Sequence, residues 1–454
     1  MVMPIVGQGT AVVSNALIRY LPGVHAAMSC VRAERAADAH PAPPFELPAM
    51  SAALERYLDA SEIALTKADE QLYLLDLMRH PGTRTTKTIA SLVMVARAVE
   101  HIRRTGERLL ILTPTSGNKG TALRDAVARA YETGLAGPDE LRIVVVAPEA
   151  SRSKLRSGAL SDDEHLRRAN PVAVARVDRA ADVKELSRLA AEQAAERLSA
   201  SGFGIWYTLD LDNYRVADAV RAFVEADLLP IREDSPPRVH AHAVSSAFGL
   251  LGYRLGHRVL SSGLLPGQAA PAWHPGFFLV QHLATADMVL SLLGAERPRY
   301  RHERADGLWH QESDPHFPAV TDDPFESLDS TFYTPRPVTS AQIDKVVHSH
   351  GGGGVVVSKR DCLAHYAEVC RLADRAGIGI DPDPGRIREW SLVKALTGVL
   401  VARERGLLET GTEVVVHASG YYTDALIPPL PERLTEPVGD VPELVRVLSD
   451  AARS

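Results

Sequence analysis

The sequence has few cysteines, no excess of basic residues and no long hydrophobic run. Only three of its 454 residues are cysteines, Cys30, Cys362 and Cys370, and none belongs to a Cys-x-x-Cys pair. A disulfide framework or a cysteine-based zinc site is therefore not expected. The net charge of −7 argues against a nucleic-acid partner held through its phosphates. Without a bilayer-length apolar run or a basic signal-peptide start, we expect a cytoplasmic protein that has no membrane partner.

What the sequence does contain, from about residue 85 onward, is an alternation of apolar strand-like runs and helical periodicity. Residues 109–112 and 143–146 are continuous apolar runs, and apolar residues recur at helical spacing over 87–103. Continuous apolar strands separated by helices are typical of a parallel sheet covered on both faces. We therefore predict an α/β fold with two open parallel-sheet lobes, joined in part by the polar linker at 233–238.

The most informative motif is residues 113–121, with the sequence Thr-Pro-Thr-Ser-Gly-Asn-Lys-Gly-Thr. It follows the apolar run at 109–112 and precedes a helical pattern. A strand, a polar turn and a helix start bring backbone N–H groups and small polar side chains to one point, which suits a polar or anionic ligand. Upstream, Lys87 stands at the start of another predicted helix, preceded by small polar residues.

The order of these segments resembles that of fold-type II enzymes dependent on pyridoxal 5′-phosphate (PLP), above all threonine synthases, in the tryptophan synthase β superfamily. Residues 81–87 loosely resemble the family segment that carries the cofactor-linked lysine. Residues 115–120 closely resemble its Thr-Ser-Gly-Asn-x-Gly turn. The resemblance implies PLP in a cleft between the lobes and Lys87 as the catalytic lysine. It also implies that Asn118 contacts the 3′-oxygen of the cofactor, with Ser116 and Gly117 beside it.

Two further cofactor contacts follow from the resemblance. The phosphate loop of the family corresponds to the segment that contains Ser245, Ser246, Ala247, Phe248 and Gly249. This loop is poor in glycine, so hydroxyl groups are expected to share in binding phosphate. The tetraglycine at 351–354 is a rival phosphate loop with a less suitable sequence context.

The contact of the ring nitrogen corresponds to Ser419, which follows the apolar run at 414–416. The resemblance also implies a large PLP-binding lobe made of residues 46–88 and 235–454, with a lid-like segment at 296–340. Residues 89–234 would form the smaller lobe, and residues 1–45 an N-terminal arm. No metal site is expected, because His240 and His242 share one strand face but no third ligand is apparent.

The implied reaction is β- or γ-elimination or replacement on a small amino acid that carries a side-chain leaving group. A serine/threonine dehydratase and a cysteine-synthase-like β-replacement enzyme are alternatives, as is a PLP-binding regulatory protein without turnover. The sequence departs from the family pattern after the catalytic lysine, where Thr88 and Ile89 stand, which leaves the substrate open. We expect a homodimer, and the candidate substrate-binding residues are Arg84, Thr85, Thr115 and Ser116.

Overall fold

Two sheets of mainly parallel strands form the framework of the protein. The computed structural model describes residues 9–35, 45–208, 210–265, 267–330 and 337–454. Along the chain the strands are β1 (Thr10–Val13), β2 (Ile63–Asp69), β3 (Leu72–Asp76), β4 (Arg108–Pro114), β5 (Leu141–Pro148), β6 (Val172–Ala175), β7 (Phe203–Tyr207), β8 (Arg238–Ala243), β9 (Gly276–His282), β10 (Arg301–His302), β11 (Trp309–His310), β12 (Val320–Thr321), β13 (Gly352–Val357), β14 (Ile387–Glu389), β15 (Glu413–Ala418), β16 (Tyr422–Thr423) and β17 (Glu436–Val438).

The α-helices cover both faces of these sheets. They are α1 (Ala16–Arg19), α2 (Leu21–Arg35), α3 (Ala52–Leu58), α4 (Lys87–Thr105), α5 (Asn118–Glu132), α6 (Ala159–Asp162), α7 (Glu164–Ala169), α8 (Val183–Ala200), α9 (Asp212–Asp218), α10 (Val220–Leu228), α11 (Phe248–Ser261), α12 (Asp287–Leu293), α13 (Ser340–His350), α14 (Lys359–Ala364), α15 (Tyr366–Arg375), α16 (Ser391–Glu404) and α17 (Val441–Arg453). Within the described ranges, none of the helices combines the length and the apolar character that crossing a membrane requires.

The larger sheet has seven strands in the order β1-β2-β3-β15-β8-β9-β13. Its neighbours run parallel from β3 to β13, whereas β1 and β2 form an antiparallel edge. The smaller sheet has five strands in the order β17-β6-β5-β4-β7, all of them parallel. The predicted α/β fold with two parallel-sheet lobes is therefore confirmed.

Burial explains why the strand sequences are continuously apolar. In β5 every residue is buried: Ile143 and Val145 face the core cluster that lies between the sheets, while Val144 and Val146 face a second cluster under α8 and α17. Helices on both faces leave no solvated side, so the sequence shows no alternation of polar and apolar residues.

Both chain ends differ from the predicted division into lobes. The first 45 residues were predicted to form an arm, but β1 pairs with β2, and Val24, Ala27 and Val31 of α2 are fully buried in the main core. The proline-rich part of that segment, residues 40–44, lies outside the described ranges. At the other end, β17 joins the five-stranded sheet rather than the larger one. Long-range packing of apolar side chains decides both placements.

The lid-like segment at 296–340 contains a small antiparallel sheet formed by β10, β11 and β12. Its final part returns to the centre of the molecule, where the Thr339 hydroxyl donates to the backbone oxygen of Ser246 at 2.6 Å. The segment therefore contacts the predicted phosphate loop.

Candidate functional site

A cavity of about 470 Å³ lies where strands of both sheets end. Its walls come from the segments that follow the carboxyl ends of β3, β4, β5, β7, β8 and β15, which is where open parallel sheets bind ligands. Most of the residues singled out in the sequence line it, namely Thr85, Lys87, Thr115, Ser116, Asn118, Ser245, Ser246, Ala247, Phe248, Gly249 and Ser419. The fold therefore brings together segments that are far apart in the sequence.

Two of the singled-out residues lie outside the cavity lining. Gly117 has a φ of 129° at the start of α5, and a Cβ there would collide with Lys154, so the turn requires glycine. Arg84 also has a positive φ, of 44°, and its Nε donates to the backbone oxygen of Tyr421 at 3.2 Å. These two residues shape the backbone next to the cavity.

Lys87 is the first residue of α4, and its amine lies 5.0 Å from the centre of the Tyr214 ring. Burial lowers the pKa of this amine, an effect that nearby Asp218 partly opposes. The preceding residues anchor it: Thr86 N donates to the Ser419 backbone oxygen at 2.9 Å, and Thr85 forms a bridge with Gly420. The loop before Lys87 is thus docked directly on the segment that carries Ser419.

Ser419 follows β15 and is 6% exposed. Its hydroxyl oxygen is buried and has no hydrogen-bond partner among the described residues. A buried hydroxyl without a partner carries a desolvation cost that a bound acceptor or donor would remove. Ser419 lines the cavity, so a polar ligand atom bound there could supply the missing partner.

Asn118 begins α5 and is held on two sides. Its Nδ2 donates to Glu389 at 2.5 Å, and the Tyr422 hydroxyl donates to its Oδ1 at 2.7 Å. Glu389 in turn pairs with Lys154 at 2.6 Å. Burial opposes ionisation of Glu389, but the attraction of Lys154 outweighs it and holds the pKa of the carboxyl below its usual range. The amide is therefore fixed in orientation, with one N–H left for a ligand.

The predicted phosphate loop joins β8 to α11. Ala247 has a left-handed φ of 51°, and Phe248 then starts the helix, so the turn directs backbone N–H groups of the α11 N-terminus toward the cavity. A side chain at Gly249 would collide with the guanidinium of Arg221. Phe248 stacks on Tyr214, with ring centres 5.8 Å apart, which connects this loop to the surroundings of Lys87.

The rival tetraglycine does not line the cavity. Gly352–Gly354 begin β13, the edge strand of the larger sheet, at the amino end of the strand. A side chain at Gly352 would collide with the backbone of Phe277 in the paired strand, and one at Gly276 would collide with the backbone of Gly351 just before β13. Close backbone approach therefore explains the glycines at these two positions.

The cavity lining is strongly cationic although the whole chain is acidic. It includes six basic and two acidic side chains, namely Lys87, Lys119, Lys154, Lys184, Arg221 and Lys394 against Asp329 and Glu389. Lys119 donates to the backbone oxygen of Thr208 at 2.6 Å. Burial, and then the charges of Lys184 and Lys87, lower the pKa of Lys119 to about 7. Such a cavity favours an anionic ligand.

Sequence reasoning missed several lining residues that stand inside regular elements. Arg221 and Lys394 lie in helices, and Glu389 lies in a short strand. A charged residue in a helix usually faces solvent. The available signal was an Arg or Lys whose two nearest residues on each side in the sequence are all apolar, as for Arg221 and Lys394.

The sequence matches the family described as a family of unknown function, DUF6002, over residues 12–452. A comparison with curated proteins finds no match. Among solved structures, PLP-bound threonine synthase from Brucella melitensis superposes with a TM-score of 0.55 at 14% identity, over 95% of this chain and 89% of that one. Threonine synthase from Escherichia coli gives 0.51 at 15% identity, over 94% and 87%. The fold is thus that of the fold-type II PLP enzymes, and the chain is a member of the DUF6002 family.

Proposed function

We propose that this protein is a PLP-dependent enzyme that catalyses elimination or replacement on an amino acid bearing a side-chain leaving group. One observation carries the proposal: a single cavity is lined by Lys87, Asn118, Ser419 and the loop from Ser245 to Gly249. These residues come from four segments that are far apart in the sequence. The shared fold with a PLP-bound threonine synthase supports the same cofactor.

The chemistry of the donor set fits PLP. A half-buried lysine in the cavity lining can hold the cofactor covalently, and the N-terminus of α11 with two serine hydroxyls suits a phosphate group. The buried Ser419 hydroxyl has no partner among the described residues and can accept or donate a hydrogen bond at the ring nitrogen. The excess of cations in the lining suits a ligand with a doubly charged phosphate.

When bound, PLP supplies an aldehyde for amines and a ring that withdraws electrons from the substrate Cα. Lys87 holds the cofactor and moves the proton at Cα, a task helped by its lowered pKa. Asn118, fixed by Glu389 and Tyr422, orients the ring. Ser419 offers a neutral hydroxyl to the ring nitrogen and so does not hold a proton there as a carboxylate would.

The substrate is proposed to bind on the side of Thr115 and Ser116, at the turn before α5. The Thr115 hydroxyl accepts from the backbone N–H groups of Gly117 and Gly120, each at 3.0 Å, which stiffens this turn. Small hydroxyl side chains at a helix start suit the carboxylate of an amino acid.

A homodimer in the cytoplasm is also proposed, and light scattering of the purified protein tests the assembly.

The first experiment tests cofactor attachment. The purified protein should show an absorption band in the visible range, and borohydride should bleach it and fix the cofactor to Lys87, as read by peptide mapping. A label on Lys119 or Lys154 would contradict the site.

A substrate screen then tests turnover. The protein is incubated with O-phosphohomoserine, O-phosphoserine, O-acetylserine, serine or threonine, and the spectrum and the release of phosphate, acetate or ammonia are followed. Turnover with one of these is the expected result. Cofactor attachment without any spectral response to amino acids would instead indicate a binding protein.

A further inference from the structure

We propose that Arg221 is a dedicated binding residue for the cofactor phosphate, held in place by a buried polar chain that runs through His417 and His240 of the larger sheet and back to Glu225 of the same helix. This inference rests on the proposed PLP site and adds a residue that the phosphate loop itself does not contain. Arg221 lies in α10 and lines the cavity, although its side chain is only 1% exposed.

The guanidinium lies directly beneath the phosphate loop. A Cβ built on Gly249 would collide with it, and Nη1 is the nearest of its atoms. Gly249 therefore leaves room for a cation where the loop directs its backbone N–H groups. A phosphate bound at the start of α11 would lie close to both.

Within the described ranges, the hydrogen bonds of Arg221 use four of its five N–H bonds. A guanidinium has five N–H bonds. Nε and Nη2 both donate to Asp218 Oδ1, at 3.0 and 2.7 Å, and Nη2 also donates to the Thr86 hydroxyl at 2.7 Å. Nη1 donates to His417 Nδ1 at 3.0 Å. The second N–H of Nη1 has no acceptor among the described residues, and Nη1 is the atom nearest the loop.

A chain of hydrogen bonds, each with a defined donor, holds Nη1 on the side away from the loop. Because Arg221 has only donors, His417 must accept at Nδ1 and carry its proton on Nε2. His417 Nε2 then donates to His240 Nδ1 at 2.8 Å, and His240 Nε2 lies 3.3 Å from the carboxylate of Glu225. Each tautomer is set by its neighbour. Glu225 is anchored by Arg238 at 2.8 Å.

The placement of this chain follows from strand register. His240 and His242 share one face of β8, and β15 pairs with β8 so that His417 lies opposite His242. A polar side chain on this buried face must find a partner. Hydrogen bonds along this chain join Arg221 to His417 and His417 to His240, and His240 Nε2 faces Glu225 at 3.3 Å without a hydrogen bond. The histidines thus have a positioning role toward Arg221.

The inference predicts selective recognition of phosphate. PLP-free protein is titrated with PLP and with pyridoxal, which lacks the phosphate. In Arg221→Met the PLP dissociation constant should rise about tenfold or more, as expected for a lost charge-assisted hydrogen bond, while pyridoxal binding stays nearly unchanged. Arg221→Lys should lose less. Arg215→Gln, which removes an arginine of α9 outside the cavity lining, is the matched control.

The outcomes separate the two proposals. If wild-type protein binds neither ligand, the proposed function fails. Wild-type protein should bind PLP more tightly than pyridoxal. If both Arg221 variants keep this preference, or lose affinity for PLP and for pyridoxal equally, only the role of Arg221 is overturned. Melting temperatures of all variants show whether they fold. If Arg221→Met does not fold, the comparison of Arg221→Lys with wild-type protein tests the role of Arg221.

The positioning role of His417 has its own test. His417→Asn keeps an acceptor near the position of Nδ1, whereas His417→Leu removes it. The PLP-to-pyridoxal preference should fall several-fold in His417→Leu and be largely restored in His417→Asn. A purely structural role would lower the melting temperature of both variants and leave the preference at the wild-type value, which would overturn the positioning role.

Discussion

The cationic side chains on the two walls of the cavity differ in their partners. On the wall formed by the larger sheet, Arg221 is paired with Asp218 at 2.7 Å and supported by Thr86 and His417. On the wall formed by the smaller sheet, Lys119 has a backbone oxygen as its hydrogen-bond acceptor, and burial and the charges of two further lysines lower its pKa. Arg221 is thus paired with a carboxylate before a ligand binds, whereas Lys119 has no ion pair among the described residues.

The contrast indicates what each wall does. A cation that is paired with a carboxylate and held by several hydrogen bonds stays in one position, which suits a cofactor that remains bound. Burial and neighbouring positive charges destabilise the charged form of a lysine, and a bound anion stabilises it. Such lysines suit a ligand that binds and leaves. Lys154 stands on the same side as Lys119 but pairs with Glu389 and Asp329, so its charge is compensated.

Replacement of Lys87 should have the largest effect, and it tests whether this lysine alone attaches the cofactor and supports turnover. In Lys87→Met, borohydride should fix no cofactor on the protein, and turnover should fall by at least about a thousandfold. Lys119→Met is the matched control, because it removes a buried lysine of the same cavity and should keep the label. Labelling that survives in Lys87→Met but vanishes in Lys119→Met would reverse the assignment.

Removing the compensated lysine should strongly destabilise the fold. Lys154→Met leaves Glu389 and Asp329 buried without their cation, and we expect the free energy of unfolding to drop by about 3–5 kcal/mol. Urea denaturation of the PLP-free protein measures it. The double variant Lys154→Met with Glu389→Gln should recover part of the loss. A single variant as stable as wild type would show that the pair is not buried in solution.

The phosphate loop provides an intermediate effect. Ser245→Ala combined with Ser246→Ala should weaken PLP binding at least about tenfold, because this glycine-poor loop depends on its hydroxyls. Lengthening the tetraglycine by one residue should leave PLP affinity nearly intact, since Gly351–Gly354 do not line the cavity. The opposite ranking in a titration of the PLP-free protein would make the tetraglycine the phosphate site.

The smallest effect concerns the uncompensated lysine and depends on pH. The pKa of Lys119 is about 7 in the folded protein, below the usual 10.5, so the folded state is penalised while the lysine is charged. The penalty is complete below pH 7 and disappears as pH approaches 10.5. Lys119→Met should therefore raise the melting temperature of the PLP-free protein at pH 6 by about 2 °C or more, and much less at pH 10. An equal gain at both pH values would exclude electrostatic relief as the cause.

Local sequence patterns predicted the fold class and the strands and helices that flank the main site residues. The apolar runs at β4 and β5 predicted parallel strands, and the polar turn before α5 predicted a binding position for Asn118. Local patterns failed for the N-terminal segment, because α2 has only a modest apolar face and its burial depends on distant helices. The last strand was placed with the wrong sheet for the same reason, since pairing of β17 with β6 joins residues far apart in the chain.

By itself, the sequence determined which strand–turn–helix units form, since side-chain periodicity and turn residues act over a few positions. It thereby placed Lys87 and Asn118 at helix starts, and Ser245 and Ser419 just after strands. Only the tertiary structure decided that Arg221 and Glu389 join them. Their partners, His417 and Lys154, lie far away in the chain, and a buried charge is explained only by the groups that surround it in space.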